Sequence, residues 1–413
     1  MKAAIISIGD EILIGQVINT NAAFIAQKVN PIGISIAKII VTGDNEKDII
    51  SILENEFINH DILFITGGLG PTHDDITRSA ICKFFDSNLV SSDEARKYVE
   101  EFLRQRNRPW SEAAENQTLI PDGAKPIPNK FGTAAGEFFE RDGKFIIVMP
   151  GVPYEMESMI TDFVIPYFQN LPQTNFIIHR TLMTTGIPES ELATRFGDLN
   201  QMLKGAKLAF LPSPVGVRLR ITVEGKDSND CNNLLQTIES NIRDKASKYI
   251  YGIGEESLEE ALGKLLTEKK LTLSIAESCT GGLIANKLTN ISGSSQYIER
   301  AVITYSNKSK TEMLRIPEKL ISTHGAVSRE VAEEMARSIR NLSGTDIGIS
   351  TTGIAGPTGG TPDKPIGLVW IGYSDSNETI ALKFNFGDGR LRVKERATQA
   401  AMDLIRRKIL NIK

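Results

Sequence analysis

Short β-branched runs alternate with amphipathic stretches along the first 170 residues. Ala3–Ile8 predicts a strand followed by a helical pattern over Asn21–Val29, and Ile36–Thr42 predicts a second strand followed by a helix over Asp48–Ile58. Asp61–Thr66 and Lys144–Met149 are further strand candidates, each running into Gly/Pro turns. Such alternation predicts a mostly parallel sheet with helices on both faces, which binds ligands beyond the carboxyl ends of its strands.

The pattern breaks at Leu171-Pro172-Gln173, which reads as a linker. A small α+β unit follows: a strand over Phe176–Thr184, one helix over Ser190–Leu203, a strand pair within Ala206–Glu224 and a helix over Asn232–Lys248. Few polar groups cluster in it, so it reads as a spacer or dimerisation module. Beyond Ser257, Leu258, Leu262, Leu265 and Leu266 share a helix face and open a last α/β domain. Its predicted strands are Leu271–Ala276, Arg300–Ser306, Asp346–Thr351, Ile366–Tyr373 and Thr379–Phe386, with helices over Ser328–Asn341 and Arg390–Ile409. The expected domains are 1–172, 173–253 and 254–413, in keeping with the two or three that 413 residues suggest.

Composition narrows the class. With 41% hydrophobic and 24% charged residues the chain is globular, and no apolar run approaches membrane-spanning length. A net charge of −4 argues against a general nucleic-acid binder and favours small-molecule partners. Cys82, Cys231 and Cys279 are scattered and suggest neither disulfides nor zinc, so a cytoplasmic location is expected.

The glycines gather where the chemistry should be. Gly9-Asp10-Glu11, Gly43-Asp44, the run Gly67-Gly68-Leu69-Gly70-Pro71-Thr72-His73-Asp74-Asp75 and Pro150-Gly151 all follow strands. Parallel strands end on one edge, so these loops should converge. Backbone amides of Gly67, Gly68 and Gly70 suit phosphate, and Asp10, Asp44, Asp74 and Asp75 suit a Mg²⁺-like divalent ion. The alternative is that Asp74 or Asp75 caps the helix beginning near Ile76.

In the last domain, Ser278 stands where a strand meets Gly281-Gly282 and a helix, so free helix amides could form an oxyanion hole beside its hydroxyl. An N-cap role for Ser278 or Thr280 is the plainer reading, and Cys279 is a rival nucleophile. His324 is the one histidine of this domain, but a lysine made less basic by burial could serve as base, and Tyr305-Ser306-Asn307-Lys308-Ser309-Lys310 supplies candidates. Arg390, Arg392 and Arg396 could meet a phosphate or form a solvated face.

Taken together, Gly9-Asp10-Glu11-Ile12-Leu13-x-Gly15-x-x-x-Asn19-Thr20-Asn21, Thr66-Gly67-Gly68-Leu69-Gly70-Pro71-Thr72-x-Asp74-Asp75-x-Thr77 and Pro150-Gly151-Val152-Pro153-x-Glu155-Met156 resemble the CinA family. Asn129-x-x-Gly132-Thr133 is similar to another loop of that family, and Thr185-Gly186-Ile187-Pro188-Glu189 with Leu211-Pro212-Ser213-Pro214-x-Gly216-Val217 resembles its small linking domain. Ala276-Glu277-Ser278-Cys279-Thr280-Gly281-Gly282, Tyr305-Ser306-Asn307-x-x-Lys310, His324-Gly325-Ala326-Val327-Ser328 and Thr352-Gly353-Ile354-Ala355-Gly356-Pro357-x-Gly359-Gly360 resemble the PncC-type nicotinamide mononucleotide deamidase domain.

The resemblance implies an α/β protein: an N-terminal molybdopterin-binding-like three-layer α/β domain, a small α+β linking domain and a C-terminal α/β deamidase domain. It implies deamidation of nicotinamide mononucleotide without a cofactor, with Ser278 as nucleophile, Lys310 as base and Tyr305 assisting. Thr280, Gly281, Gly282, Thr352, Gly353, Gly356, Gly359, Gly360 and Arg396 would bind that substrate, with Lys394 where arginine is usual. For the first domain it implies metal-dependent ADP-ribose pyrophosphatase activity, with Asp75 catalytic, Asp10 and Asp74 on the metal, and Gly67, Gly68, Gly70, Asp44, Asn129, Gly132 and Thr133 binding substrate. The expected partners are small nucleotides and a second copy in a homodimer, with neither nucleic acid nor membrane. Two further expectations are a first domain that only binds a nucleotide or molybdopterin-like ligand, and a non-catalytic partner protein in competence.

Overall fold

The apolar runs of the first domain become the strands of one sheet. The computed structural model describes residues 1–70, 76–171 and 176–412. Asp74 and Asp75 lie outside them, as do Pro71, Thr72 and His73. The described residues form two compact units, Met1–Ile178 with Glu224–Cys231, and His179–Val223 with Asn232–Lys413.

In the first unit the strands are β1 (Lys2–Ile8), β2 (Ser35–Thr42), β3 (Ile62–Thr66), β4 (Leu89–Ser91), β5 (Leu119–Pro121), β6 (Lys125–Ile127), β7 (Gly136–Arg141) and β8 (Lys144–Met149). Among the described residues six of them form a sheet in the order β2-β1-β3-β8-β7-β6, while β4 and β5 pair separately. β1, β2, β3 and β8 run parallel, and β7 and β6 add antiparallel edges. Alternation along the strands sorts the core into two. Ala3, Ile5, Ile62, Phe64 and Ile147 face the helices Thr20–Val29 and Pro153–Met159, whereas Ala4, Ile6, Leu63, Ile65 and Val148 face Glu46–Asn59 and Thr77–Phe85. Burial on both faces is why these strands read as continuous apolar runs rather than alternating ones.

One charged pair is sealed into this unit. Arg78 Nε donates to Glu137 Oε1 over 2.7 Å, and Glu137 is fully buried. Burial pushes the Glu137 carboxyl up, and the Arg78 guanidinium beside it pulls it back.

The second unit joins the middle and last domains. The middle domain's strands are β9 (Phe176–Thr184), β10 (Lys207–Ser213), β11 (Gly216–Gly225) and β12 (Ile250–Ile253), in the order β10-β11-β9-β12. The helix expected over Ser190–Leu203 is two: Glu189–Phe196 stops at Gly197, whose φ of 69° leaves the helical region. Asp198 then caps Leu199–Leu203 by accepting from the amides of Asn200 and Gln201.

The last domain adds β13 (Leu273–Glu277), β14 (Ile298–Ile303), β15 (Ile347–Gly353), β16 (Leu368–Ser374) and β17 (Thr379–Asn385) in the order β14-β13-β15-β16-β17. The first three are parallel and the last two antiparallel. The helices Leu258–Lys269 and Arg390–Ile409 cover one face through Leu258, Leu262, Leu266, Ala397, Ala401 and Ile405, and Arg329–Ser343 covers the other through Val331, Met335 and Ile339. No helix among the described residues is long and apolar enough to cross a membrane.

Removing one member of the sealed ion pair leaves the other buried without compensation. Glu137→Ala is expected to lower stability by about 3–5 kcal/mol in urea denaturation. An unchanged midpoint would mean that Arg78 finds water.

Candidate functional site

The carboxyl ends of β1, β2, β3 and β8 frame a cleft of about 660 Å³, lined by Gly9, Glu11, Asp44, Gly67, Gly68, Gly70, Gly132, Thr133, Gly151 and Glu155 among others. Of the residues expected here, Asp44, Gly67, Gly68, Gly70, Gly132 and Thr133 come together. Gly67 has no alternative: its φ is 109°, and a Cβ there would stand 2.2 Å from the Ile8 carbonyl oxygen.

Asp10 does not line the cleft. Its carboxylate accepts from the Asp44 amide at 3.3 Å, and the Asp10 amide donates to the Asp44 carboxylate at 3.2 Å, so the two loops brace each other. Asn129 is buried behind the lining. It accepts from the Phe131 and Gly132 amides and donates to Ala134 O and to Glu155 Oε2, so it shapes the Gly132-Thr133 loop. Glu155 and Arg108 also line the cleft, and Arg108 is its one cation among the described lining residues. Sequence reasoning passed over both; Glu155 stood inside a quoted motif, whereas nothing marked Arg108.

At the end of β13 the chain makes a different site. Ser278 is 7% exposed and Lys310 is 1% exposed. Lys310 lies in the first turn of Asn307–Leu314, which Ser306 and Ser309 cap reciprocally, and that cap fixes where the lysine starts. Its Nζ donates to Ser278 Oγ at 3.1 Å and to Thr304 O at 2.7 Å. Burial brings the Lys310 amine down to about 8. The neighbouring Cys279 thiol is pushed up to about 12, chiefly by burial, so it holds its proton and is a poor nucleophile.

The helix amides expected to serve Ser278 are already engaged. Glu277, at the last position of β13, accepts from Gly282 N at 2.9 Å, Ile284 N at 3.2 Å and Ala285 N at 2.9 Å. A carboxylate at a helix N-terminus is electrostatically favourable, so Glu277 rather than the substrate completes Leu283–Thr289. Gly281 and Gly282, with φ of 63° and 91°, let the chain turn tightly enough for that contact.

Other expected residues take specific places. Thr280 Oγ1 bonds Thr351 Oγ1 at 2.7 Å and Thr352 Oγ1 donates to Ala326 O at 2.7 Å, so both hydroxyls are engaged in the protein. Gly353 closes against the Leu368 carbonyl, Gly356 and Gly360 close around Ile366, and Gly359 takes φ of 89°, so these four form a folded loop. Tyr305 is 59% exposed and does not reach Ser278; its hydroxyl accepts from Arg390 Nη2 at 2.8 Å, while Arg390 Nη1 donates to Gly356 O at 3.0 Å. Arg396 points elsewhere: its guanidinium donates to Phe386 O and Pro214 O in a separate cavity. The cation that meets the turn after Ser278 is Lys394, whose Nζ would be 3.4 Å from a Cβ on Gly281.

These features define a multidomain α/β protein with a molybdopterin-binding-like domain, a KH-like linker and a C-terminal α/β domain. Residues 4–170 match the probable molybdopterin binding domain, 179–252 the damage-inducible protein CinA KH domain, and 255–409 the CinA C-terminal domain. A putative competence-damage inducible protein of Caldicellulosiruptor saccharolyticus is 41% identical over 411 residues, covering 100% of both chains. A CinA-like protein of Chloroherpeton thalassium is 42% identical over 415 residues, covering 98% of this chain and 99% of its own. The chain belongs to the CinA family. The solved competence/damage inducible protein CihA from Agrobacterium tumefaciens is 36% identical, covering 36% of this chain and 94% of its own at a TM-score of 0.35.

The Glu277 cap carries its own test. Glu277→Ala strands three amide donors beside Ser278, and a stability loss of about 2–4 kcal/mol is expected in thermal or urea unfolding. A loss below about 0.5 kcal/mol would show that water replaces the carboxylate without cost.

Proposed function

We propose that the C-terminal domain hydrolyses the carboxamide of nicotinamide mononucleotide to nicotinic acid mononucleotide and ammonia. The observation that carries this reading is the buried Lys310 amine 3.1 Å from Ser278 Oγ, brought down to about 8 by burial. Neutral Lys310 takes the Ser278 proton as Oγ attacks the amide carbon. The lysine then gives that proton to the departing nitrogen, leaving an acyl-enzyme and ammonia. Water attacks the ester, Lys310 relays its proton back to Oγ, and the carboxylate leaves. Arg390, beside Tyr305, and Lys394, beside Gly281, would meet the 5′-phosphate.

For the first domain the proposal is pyrophosphate hydrolysis of ADP-ribose. The glycine-lined cleft, with Arg108 for a phosphate and the Glu11, Asp44 and Glu155 carboxylates, supports it. These donors are all oxygen, as a hard divalent ion prefers, but no cluster of three metal-ligating side chains occurs among the described residues; Asp44 and Glu11 would hold the ion together with Asp74, with Asp75 catalytic, as the resemblance implies for those two. Such an ion supplies charge neutralisation on the phosphate oxygens. We further infer a cytoplasmic homodimer acting on small nucleotides rather than on nucleic acid or membrane.

Separate incubation with the two nucleotides tests the division of labour. Ammonia release should withstand a chelator and vanish in Ser278→Ala, whereas AMP formation from ADP-ribose should be lost with the chelator and survive in Ser278→Ala. Ammonia release that persists in Ser278→Ala would overturn the nucleophile assignment.

The base must be neutral to act, so kcat/KM for deamidation should rise with pH through about 8 and level off above. Because the folded amine is less basic than the unfolded one, the burial penalty is fully present below about 8 and relieved as pH rises towards the unfolded value. Lys310→Met is therefore expected to lose turnover by about 10²–10⁴-fold while keeping or raising the melting temperature at neutral pH. A flat pH profile between about 6.5 and about 9 would contradict the lysine base.

A further inference from the structure

A second cavity, of about 710 Å³, lies within the second unit, between the middle-domain loops and the helix Arg390–Ile409. It touches neither Ser278 nor Lys310. One wall follows from strand alternation: Leu382, Phe384 and Phe386 point the same way from β17 and the chain just beyond it, and the two phenylalanine rings stack at 5.3 Å and 7°. Ile187, Pro188 and Pro214 face them from the middle domain. The volume is that of a small-molecule pocket, and the walls are mostly apolar.

The polar lining is unevenly compensated. Asp403 is paired twice, with Arg406 and Arg407 at 2.7 Å each. Glu189 is exposed at the first position of Glu189–Phe196, where a carboxylate suits the helix end. Arg396 differs. It donates to Phe386 O at 3.2 Å and Pro214 O at 3.3 Å, and no carboxylate among the described residues pairs with it. Carbonyl oxygens satisfy two of the five guanidinium donors and cancel none of the charge.

The mouth is built rather than incidental. Gly186 takes φ of 73°, and a Cβ there would lie 3.0 Å from Arg407 Nη2; a Cβ on Gly216 would lie 2.0 Å from Thr184 O. Gln399 Nε2 donates to Thr185 Oγ1 at 3.3 Å and ties one loop to the helix. Of the two arginines that line it, Arg407 shares Asp403 with Arg406 and Arg396 alone has no carboxylate partner among the described residues, so the mostly apolar chamber is complementary to a single anionic head on an apolar body.

We propose that this cavity is a binding site for a small carboxylate with an apolar body, its head on Arg396 and its body against Phe384 and Phe386. The proposal is independent of the hydrolytic reading of Ser278. Linear and ring-bearing carboxylates share this chemistry, so calorimetric titrations of the full chain would use octanoate and phenylacetate as probes, with octanamide and phenylacetamide as neutral isosteres. At least one acid should bind about tenfold tighter than its amide, and Arg396→Gln should erase that difference. The acid that shows the difference identifies a chain or a ring as the preferred body. Ala400→Trp, which fills the cavity from the helix, should abolish binding while leaving the circular dichroism spectrum unchanged. Equal binding of acid and amide, no saturation by either acid below about 10 mM, or undiminished binding in folded Ala400→Trp would overturn the proposal.

Discussion

Keeping an amine out of water beside a hydroxyl is the constraint from which the last domain's local architecture follows. An isolated buried ammonium is costly, so the position must offer acceptors and tolerate a neutral base. Lys310 finds two acceptors, Ser278 Oγ and the Thr304 carbonyl. Thr304 is in turn fixed because its amide donates to the Glu277 carbonyl at 2.8 Å, and the Glu277 side chain holds the next helix. Ser278, Lys310 and the end of β13 therefore belong to one connected set of hydrogen bonds, in which each member limits the freedom of the next.

The first domain meets a different requirement. Its cleft is framed by backbone and carboxylates on loops that follow parallel strands, and its precision comes from close approach rather than from a buried charge. Gly67 against Ile8 O and the reciprocal Asp10–Asp44 bonds hold three strand ends in register. That cleft spans about 660 Å³ of loop backbone and carboxylates, whereas the Ser278 turn presents one hydroxyl from an almost closed surface.

Period and punctuation made the α/β layers legible in the sequence, because strands buried on both faces leave continuous apolar runs. The segment between the helix Thr77–Phe85 and β8 went unread: β4, β5 and β6 are three residues each and leave no period, although the helix Asp93–Gln105 within it buries Ala95, Val99, Phe102 and Leu103 at a helical spacing that was there to be read. The break at Gly197 was missed because Leu192, Phe196 and Leu203 keep a helical spacing across it. At the site, motif residues close in sequence were found and their directions were not. Arg396 lies two residues beyond Lys394, and on a helix that step turns a side chain by about 200° to another face. Glu277 was visible beside Ser278, yet only the three-dimensional turn reveals that it takes the helix amides.

The helix Arg390–Ile409 has a consequence for how the chain comes apart. Near one end it holds Tyr305 through Arg390; towards the other, the buried Arg406 donates to the carbonyls of Lys248 and Ile250 in the middle domain. Pulling the middle domain away would strand that guanidinium's donors along with the apolar helix face. The cooperative boundary in this protein therefore falls near the start of the middle domain, whose Glu224–Cys231 stretch groups with the first unit, rather than after that domain. Three domains by family descent should melt as two bodies.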